Sequence, residues 1–222
     1  MFEVEIKSLL VDKSGVNRLL AKMKSLDPKM KLKRTSSQLN HYFKNGDVGL
    51  LFKRISKYLS EKELQKLEFI IKNGKSHSVR TRLNDSDVIF VLKGILDEGK
   101  SIHGIARSEF EAVLPKSIKE LDKIILLAGF QYQSKWSRLR QEYDYKDMTV
   151  CVDKNAGYGY LAEFEKIVEK KEETEEARDA IRKELEELEI EELIQVRIDR
   201  MFEYYNQNWE QYYKTDKTFV IY

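Results

Sequence analysis

Charged side chains recur two residues apart along this sequence. The sets are Glu3, Glu5 and Lys7; Arg80 and Arg82; Arg107, Glu109 and Glu111; Arg138 and Arg140; Glu163 and Glu165. Residues two apart share one face of a β-strand. The opposite faces carry Phe2, Val4 and Ile6; Val79 and Leu83; Phe110; Leu139; and Phe164. Each segment thus has one face for a core and one that must meet water or charge. A solvated sheet face ordinarily mixes Thr, Ser, Lys and Glu. Here the acids come as carboxylate pairs and the bases as arginine pairs. Like charges about 7 Å apart repel unless a counter-ion offsets them. Carboxylate pairs suit a hard divalent cation, which takes oxygen ligands. Arginine pairs suit phosphate oxygens, which they grip bidentately. One such strand is more simply an amphipathic strand with a wet outer face. Five of them point to metal and phosphate chemistry.

The elements that must position these residues follow from periodicity. Phe2 to Lys7 alternates as a strand, and Asp12 to Leu26 has helical spacing that stops before Pro28. Residues 30–45 look extended. Residues 48–72 are ambiguous, with a helix expected around Glu61 to Ile71, and Asn73-Gly74 marks a turn. His77 to Leu83 and Val88 to Lys93 read as strands joined by residues 84–87. Ile102 to Leu114 alternates as a strand closed by Pro115. Ser117 to Ala128 is a helix with Ser117 as N-cap, Glu120 three residues later and Gly129 after its end. Phe130 to Tyr145, Met148 to Asp153 and Tyr158 to Val168 are further strands, and a charged helix starts at Thr174. The expected fold is α+β: about eight antiparallel strands, closed or strongly curved, with helices around them. A closed barrel of that size with its charged face inward would bring acids and bases around one polyphosphate. The expected division is 1–170 for this domain and 171–222 for a C-terminal helical and aromatic extension. That extension (Tyr204, Tyr205, Trp209, Tyr212, Tyr213, Phe219, Tyr222) carries more rings than a solvated end needs, so it is expected to dock on the barrel or on a second subunit.

Composition narrows the class. The chain has 222 residues with Lys+Arg 40 against Asp+Glu 38, so its net charge of +2 gives no reason to expect nucleic acid. The single cysteine, Cys151, rules out a disulfide framework within one chain and fits a reducing compartment. There is no apolar signal core and no run of about 18 apolar residues. A cytoplasmic protein without membrane spans, monomeric or homodimeric, is the expectation.

The ordered motifs resemble a known family. Glu3-x-Glu5-x-Lys7 is similar to the N-terminal ExExK signature of the CYTH superfamily, which includes class IV adenylate cyclases, thiamine triphosphatases and inorganic triphosphatases. His41-Tyr42-Phe43 resembles its Tyr-Phe segment, with Lys44 where Asp often follows. Arg80-Thr81-Arg82 resembles its RxR strand, Leu92-Lys93-Gly94 its hairpin-end lysine, and Arg107-Ser108-Glu109-Phe110-Glu111 its RxExE strand. Arg138-Leu139-Arg140 with Tyr143 resembles KxRxxY, with Arg138 in the usual lysine position. Asp153 and the stretch Gly157 to Glu165 resemble the last strand pair. The likeness spans roughly residues 1–190 and is specific through order and spacing.

The resemblance implies a triphosphate tunnel enzyme dependent on Mg²⁺ or Mn²⁺. It implies that Glu3, Glu5, Asp153, Glu163 and Glu165 hold metal, and that Glu109 and Glu111 either join the metal site or orient basic residues. It implies that Lys7, Arg80, Arg82, Lys93, Arg107, Arg138 and Arg140 bind the triphosphate, and that Tyr42 and Lys93 activate water. Metal-bridged phosphate in a basic cradle is what phosphoryl transfer needs. Hydrolysis of a triphosphate, inorganic triphosphate first, is the leading expectation. An adenylate cyclase and a non-catalytic polyphosphate- or nucleotide-binding module are the alternatives.

Other features read as structure. Gly94 to Ser101 matches the P-loop pattern formally, but no helix pattern begins at Lys100, and Asp97 and Glu98 would face the phosphates. His41, His77 and His103 show no ligand spacing and suit surface or hydrogen-bonded roles. Cys151 between Val150 and Val152 suits a packed thiol.

Overall fold

The computed structural model describes residues 2–97 and 106–221, without the side chains of residues 96, 97, 106, 107 and 171. The formal P-loop match and His103 therefore lie wholly or partly outside the described residues, as does Tyr222. The strands are β1 (Phe2–Val11), β2 (Lys31–Lys44), β3 (His77–Asn84), β4 (Asp87–Asp97), β5 (Ala106–Val113), β6 (Gln131–Tyr145), β7 (Met148–Asn155) and β8 (Gly159–Val168). The helices are α1 (Lys13–Leu26), α2 (Val48–Ile55), α3 (Glu61–Asn73), α4 (Ile118–Leu126), α5 (Thr174–Glu187) and α6 (Gln195–Tyr212). The strands form one antiparallel sheet in the order β1-β8-β7-β6-β2-β3-β4-β5. The α+β class and the eight antiparallel strands expected from the sequence are present. Among the described residues the hydrogen-bonded order runs from β1 to β5 without closing, so the observed pattern is a sheet. No described helix is long and apolar enough to cross a membrane.

The chain divides into two compact units. The first comprises residues 1–37 and 137–222. Its core joins Val4, Ile6 and Leu10 of β1 to Leu19 and Met23 of α1, Val150 and Val152 of β7, Phe164 of β8, and Ile181 and Leu185 of α5. From Val4 to Leu10 every second residue of β1 is buried, which sends Glu3, Glu5 and Lys7 to the other face. The Asp12 side chain caps α1 by accepting from Gly15 N at 2.9 Å. Gly15 leaves no room for a side chain, since a Cβ would sit 2.2 Å from Leu10 O. The aromatic extension docks within this same unit. Its helix α6 packs the fully buried Tyr205 against Tyr158, with ring centroids 6.3 Å apart. Gly157 has φ +92°, and a Cβ there would strike the Tyr205 ring at 2.6 Å. Phe219 N donates to Gly157 O at 2.6 Å and Gly157 N to Lys217 O at 3.0 Å, strapping the C-terminal segment to this turn.

The second unit comprises residues 38–136. Its core joins Phe43 of β2, Val79 of β3, Val88, Phe90 and Leu92 of β4, and Phe110 and Ala112 of β5 to Leu51 and Ile55, Leu67 and Ile70, and Leu121 and Ile125 of helices α2 to α4. The ambiguous stretch 48–72 resolves into two helices. Asp47 caps α2 through Leu50 N, and a reciprocal capping box of Ser60 and Glu63 opens α3. The expected Ser117–Glu120 box opens α4, and Gly129 beyond its end has φ +82°. The strand expected from Ile102 is described from Ala106 onward.

Candidate functional site: two charged strand faces

In the first unit the register puts carboxylates side by side. Glu5 pairs with Glu165, and Lys7 with Glu163, across β1 and β8. Carboxylate oxygens of Glu3, Glu5 and Glu165 lie within 4.8 Å of one another. Burial and the neighbouring Glu163 and Glu3 carboxylates push the Glu165 carboxyl up to about 7. Burial is the larger cause, and the like charges add to it. A hard divalent cation takes oxygen donors grouped in this way, so the trio fits the expected metal.

The other expected ligands of this face are already neutralised. Asp153, fully buried on β7, accepts from Arg140 Nε at 2.8 Å and Nη2 at 2.7 Å, and from Arg138 Nη1 at 2.7 Å. Glu163 accepts from Arg140 and faces Lys7 Nζ at 3.5 Å; Lys7 also pairs with Glu5. Burial raises the Glu163 carboxyl, but Lys7, Arg140 and Arg138 overcome this and hold it below the usual range. Burial disfavours the Arg140 cation, yet its Asp153 and Glu163 partners raise its pKa further. Asp153 and Glu163 thus hold the arginines in place, while Glu3, Glu5 and Glu165 form the group able to take an ion. The buried Cys151 places Sγ 3.9 Å from Glu165 Oε1. Burial first, then the nearby carboxylates, push its thiol up to about 12, which suits a packed thiol and no nucleophile.

In the second unit bases and acids interleave. Tyr42 pairs with Arg80 and Asn40 with Arg82 across β2 and β3; Lys93 pairs with Glu109 across β4 and β5. Arg80 donates from Nη1 to Tyr42 OH at 3.1 Å and from Nη2 to Glu109 Oε1 at 3.2 Å. Arg82 Nη1 lies 3.0 Å from Glu111, and its Nε donates to Asn40 Oδ1 at 3.3 Å. Lys93 Nζ is 2.8 Å from Glu109 Oε2. Burial raises the Glu109 carboxyl, but Lys93 and Arg80 more than offset it and hold it below the usual range. Glu109 and Glu111 are thus paired with the basic residues of this face. The Arg107 backbone pairs with Ile95 in β5; its side chain lies outside the described residues.

A cavity of about 330 Å³ opens on this face, lined by Tyr42, Ser76, Ser78, Arg80, Val91, Lys93, Gly94 and Ile95. The two residues expected to activate water, Tyr42 and Lys93, both line it. The Tyr42 ring is covered by the Arg80 guanidinium at 5.5 Å and met edge-on by Trp136 at 6.5 Å. Among the described residues Arg80 Nε is a buried donor with no acceptor. Sequence reasoning missed Asn40, although its place two residues before Tyr42 put it on the same face. It also missed the aliphatic floor of Val91 and Ile95, which flank Lys93 at strand spacing.

A family model described as CYTH domain matches residues 72–197. No curated protein matches this sequence. Among solved structures, a conserved hypothetical protein from Pyrococcus furiosus is similar with a TM-score of 0.58 and 18% identity, over 86% of this chain and 92% of its own. A candidate adenylate cyclase from Vibrio parahaemolyticus gives 0.56 and 10%, over 88% and 94%. A candidate adenylyl cyclase from Hippeastrum, described as having a dominant triphosphatase activity, gives 0.50 and 17%, over 90% and 95%. At these identities the likeness is one of fold.

Proposed function

The chain belongs to the CYTH domain family, and from that premise we propose that it hydrolyses a triphosphate with the help of Mg²⁺ or Mn²⁺. The observation that carries this reading is the carboxylate trio Glu3, Glu5 and Glu165, whose oxygens lie within 4.8 Å of one another; burial, with the charges of Glu163 and Glu3 added, pushes Glu165 up to about 7. These residues would hold the ion, which supplies charge neutralisation to phosphate oxygens when bound. Arg80, Arg82 and Lys93 of the second unit grip the phosphate oxygens, while Lys7, Arg138 and Arg140 brace the carboxylates of the first. Glu109, Glu111, Asp153 and Glu163 hold these cations at fixed positions, so little reorganisation is needed as charge moves to the leaving group. Tyr42 and Lys93 orient the attacking water. Water attacks the terminal phosphorus and passes a proton to a phosphate oxygen, the bond to the bridging oxygen breaks, and the bridging oxygen leaves with the electron pair.

Inorganic triphosphate is the preferred substrate in this proposal. The described cavity offers cations, hydroxyls and an aliphatic floor, and its one aromatic ring, Tyr42, is already covered by Arg80. That supports phosphoryl groups over a stacked base or thiazole ring. The test is phosphate release from inorganic, nucleoside and thiamine triphosphates with each metal, together with product analysis on ATP. Metal-dependent phosphate release, fastest on inorganic triphosphate, is expected. Cyclic AMP as the main product from ATP would replace hydrolysis by cyclisation. Binding without turnover would leave a non-catalytic module.

A further inference from the structure

We propose that Asp122, acting through Thr81 and His41, is a positioning residue for the phosphate-gripping face of the second unit; the inference rests on the triphosphate reading above. Thr81 stands between Arg80 and Arg82 on β3, and His41 precedes Tyr42 on β2. Strand alternation therefore sends Thr81 and His41 to the side opposite those three residues. His41 and Thr81 are also direct cross-strand partners, as Tyr42 and Arg80 are in the next pair.

On that reverse side Asp122 of α4 gathers both strands. Thr81 Oγ1 donates to Asp122 Oδ1 at 2.7 Å, and Tyr132 OH of β6 donates to Oδ2 at 2.7 Å. His41 Nδ1 lies 2.7 Å from Oδ2, and the His41 ring meets Tyr132 edge-on at 6.1 Å. Thr81, Asp122 and His41 are buried, at 0%, 4% and 5% exposure. The helix stripe that carries Asp122 otherwise supplies Leu121 and Ile125 to the core. A carboxylate at such a position costs stability unless its hydrogen bonds are made. What it gives in return is direction. Apolar contacts tolerate a slide of one strand along its neighbour, whereas bonds of 2.7 Å from two strands to one helix do not. The pleat at Thr81 is thereby fixed, and with it the origin of the Arg80 and Arg82 side chains and of Tyr42. Nothing in the triphosphate chemistry itself uses this hub.

The test separates positioning from plain stability. Thr81→Val keeps the shape and removes the hydroxyl; Thr81→Ser restores it. Asp122→Asn serves as a second variant of similar size, and Ile55→Val, in the same core, as a control for lost packing. Affinity for inorganic triphosphate by calorimetry, KM and kcat with Mn²⁺, and Tm are measured for each. Thr81→Val and Asp122→Asn are expected to raise Kd and KM about tenfold with kcat within about twofold, the size of a loosened charge-assisted contact. Thr81→Ser is expected to stay close to wild type, and Ile55→Val to lower Tm with KM unchanged. Thr81→Val and Asp122→Asn variants with wild-type Kd and KM would overturn the positioning role while leaving the triphosphate reading intact. A wild type that neither binds nor hydrolyses triphosphate would overturn that reading, and this inference with it.

Discussion

The two units build their charged faces by one rule and arrive at opposite deficits. In both, alternate strand residues fill a core and the others carry charge. In the first unit Arg138, Arg140 and Lys7 are engaged by Asp153, Glu163 and Glu5, and the carboxylates still outnumber them. The remainder is negative, and it gathers at Glu3, Glu5 and Glu165. In the second unit Glu109 and Glu111 are shared among Arg80, Arg82 and Lys93. The remainder is positive, and among the described residues Arg80 keeps a buried donor without an acceptor beside a cavity. Local neutralisation therefore identifies the site better than charge does. On the proposed reading, residues with complete partner sets are scaffolding, and the unbalanced remainder is what would bind a cation on one face and an anion on the other.

The sharpest way to break this comparison is to remove the negative remainder. Glu5→Ala is expected to lower metal-dependent turnover by about a hundredfold or more, because a metal ligand is lost outright. Affinity for inorganic triphosphate in chelator should change far less. Steady-state kinetics with and without Mn²⁺, alongside calorimetry, checks both halves. An equal loss of triphosphate affinity in chelator would mean that the two faces do not divide the work in this way.

A matched pair of arginine substitutions comes next. Arg140→Met strands the fully buried Asp153 and the buried Glu163. It should cost about 3 kcal/mol in denaturant unfolding, the low end for a broken buried pair because Arg138 and Lys7 remain. Arg80→Met leaves Glu109 and Glu111, whose side chains are 35% and 40% exposed. Its stability loss should stay under about 1 kcal/mol. Its KM for triphosphate should instead rise about tenfold or more, as expected for a lost charge-assisted contact. If Arg140→Met proved stable and Arg80→Met unstable, the division into scaffold and binding cations would be reversed.

Much of this comparison was legible in the sequence because period-2 alternation is a local signal. Glu3-x-Glu5-x-Lys7 declares its face from five residues, and the structure puts Val4 and Ile6 in the core as that pattern requires. What alternation cannot give is register. That Glu5 stands opposite Glu165, while Lys7 stands opposite Glu163, is decided by pairing between strands some 150 residues apart in sequence. The expected metal set of Glu3, Glu5, Asp153, Glu163 and Glu165 treats all five alike, because alternation carries no information on partners. Only pairing shows that Asp153 and Glu163 already hold arginines. The same limit hid Asp122, a lone acid on the apolar stripe of α4 whose partners come from three other elements. Residues 48–72 were ambiguous for a different reason. The capped α2 spans only Val48–Ile55, too short for its period to stand out beside α3.

The smallest expected effect tests the negative remainder through pH. In an unfolded chain Glu165 titrates near 4.5, and in the fold at about 7. Between those values the folded protein holds a proton that the unfolded chain has released. Stability must therefore fall as pH rises through that window, since the folded state binds more protons than the unfolded one. In chelator the wild-type Tm should decline by a few degrees from pH 4.5 to 7 on this account. Glu165→Gln, which cannot ionise, should flatten that part of the profile. Mn²⁺ added above pH 7 should raise the wild-type Tm, because it binds the trio in the ionised form that the fold otherwise resists. The rise should be smaller for Glu165→Gln. Superimposable wild-type and variant pH profiles would mean that neither burial nor the neighbouring carboxylates raise the Glu165 carboxyl, and the cation-ready character of the first face would lose that support.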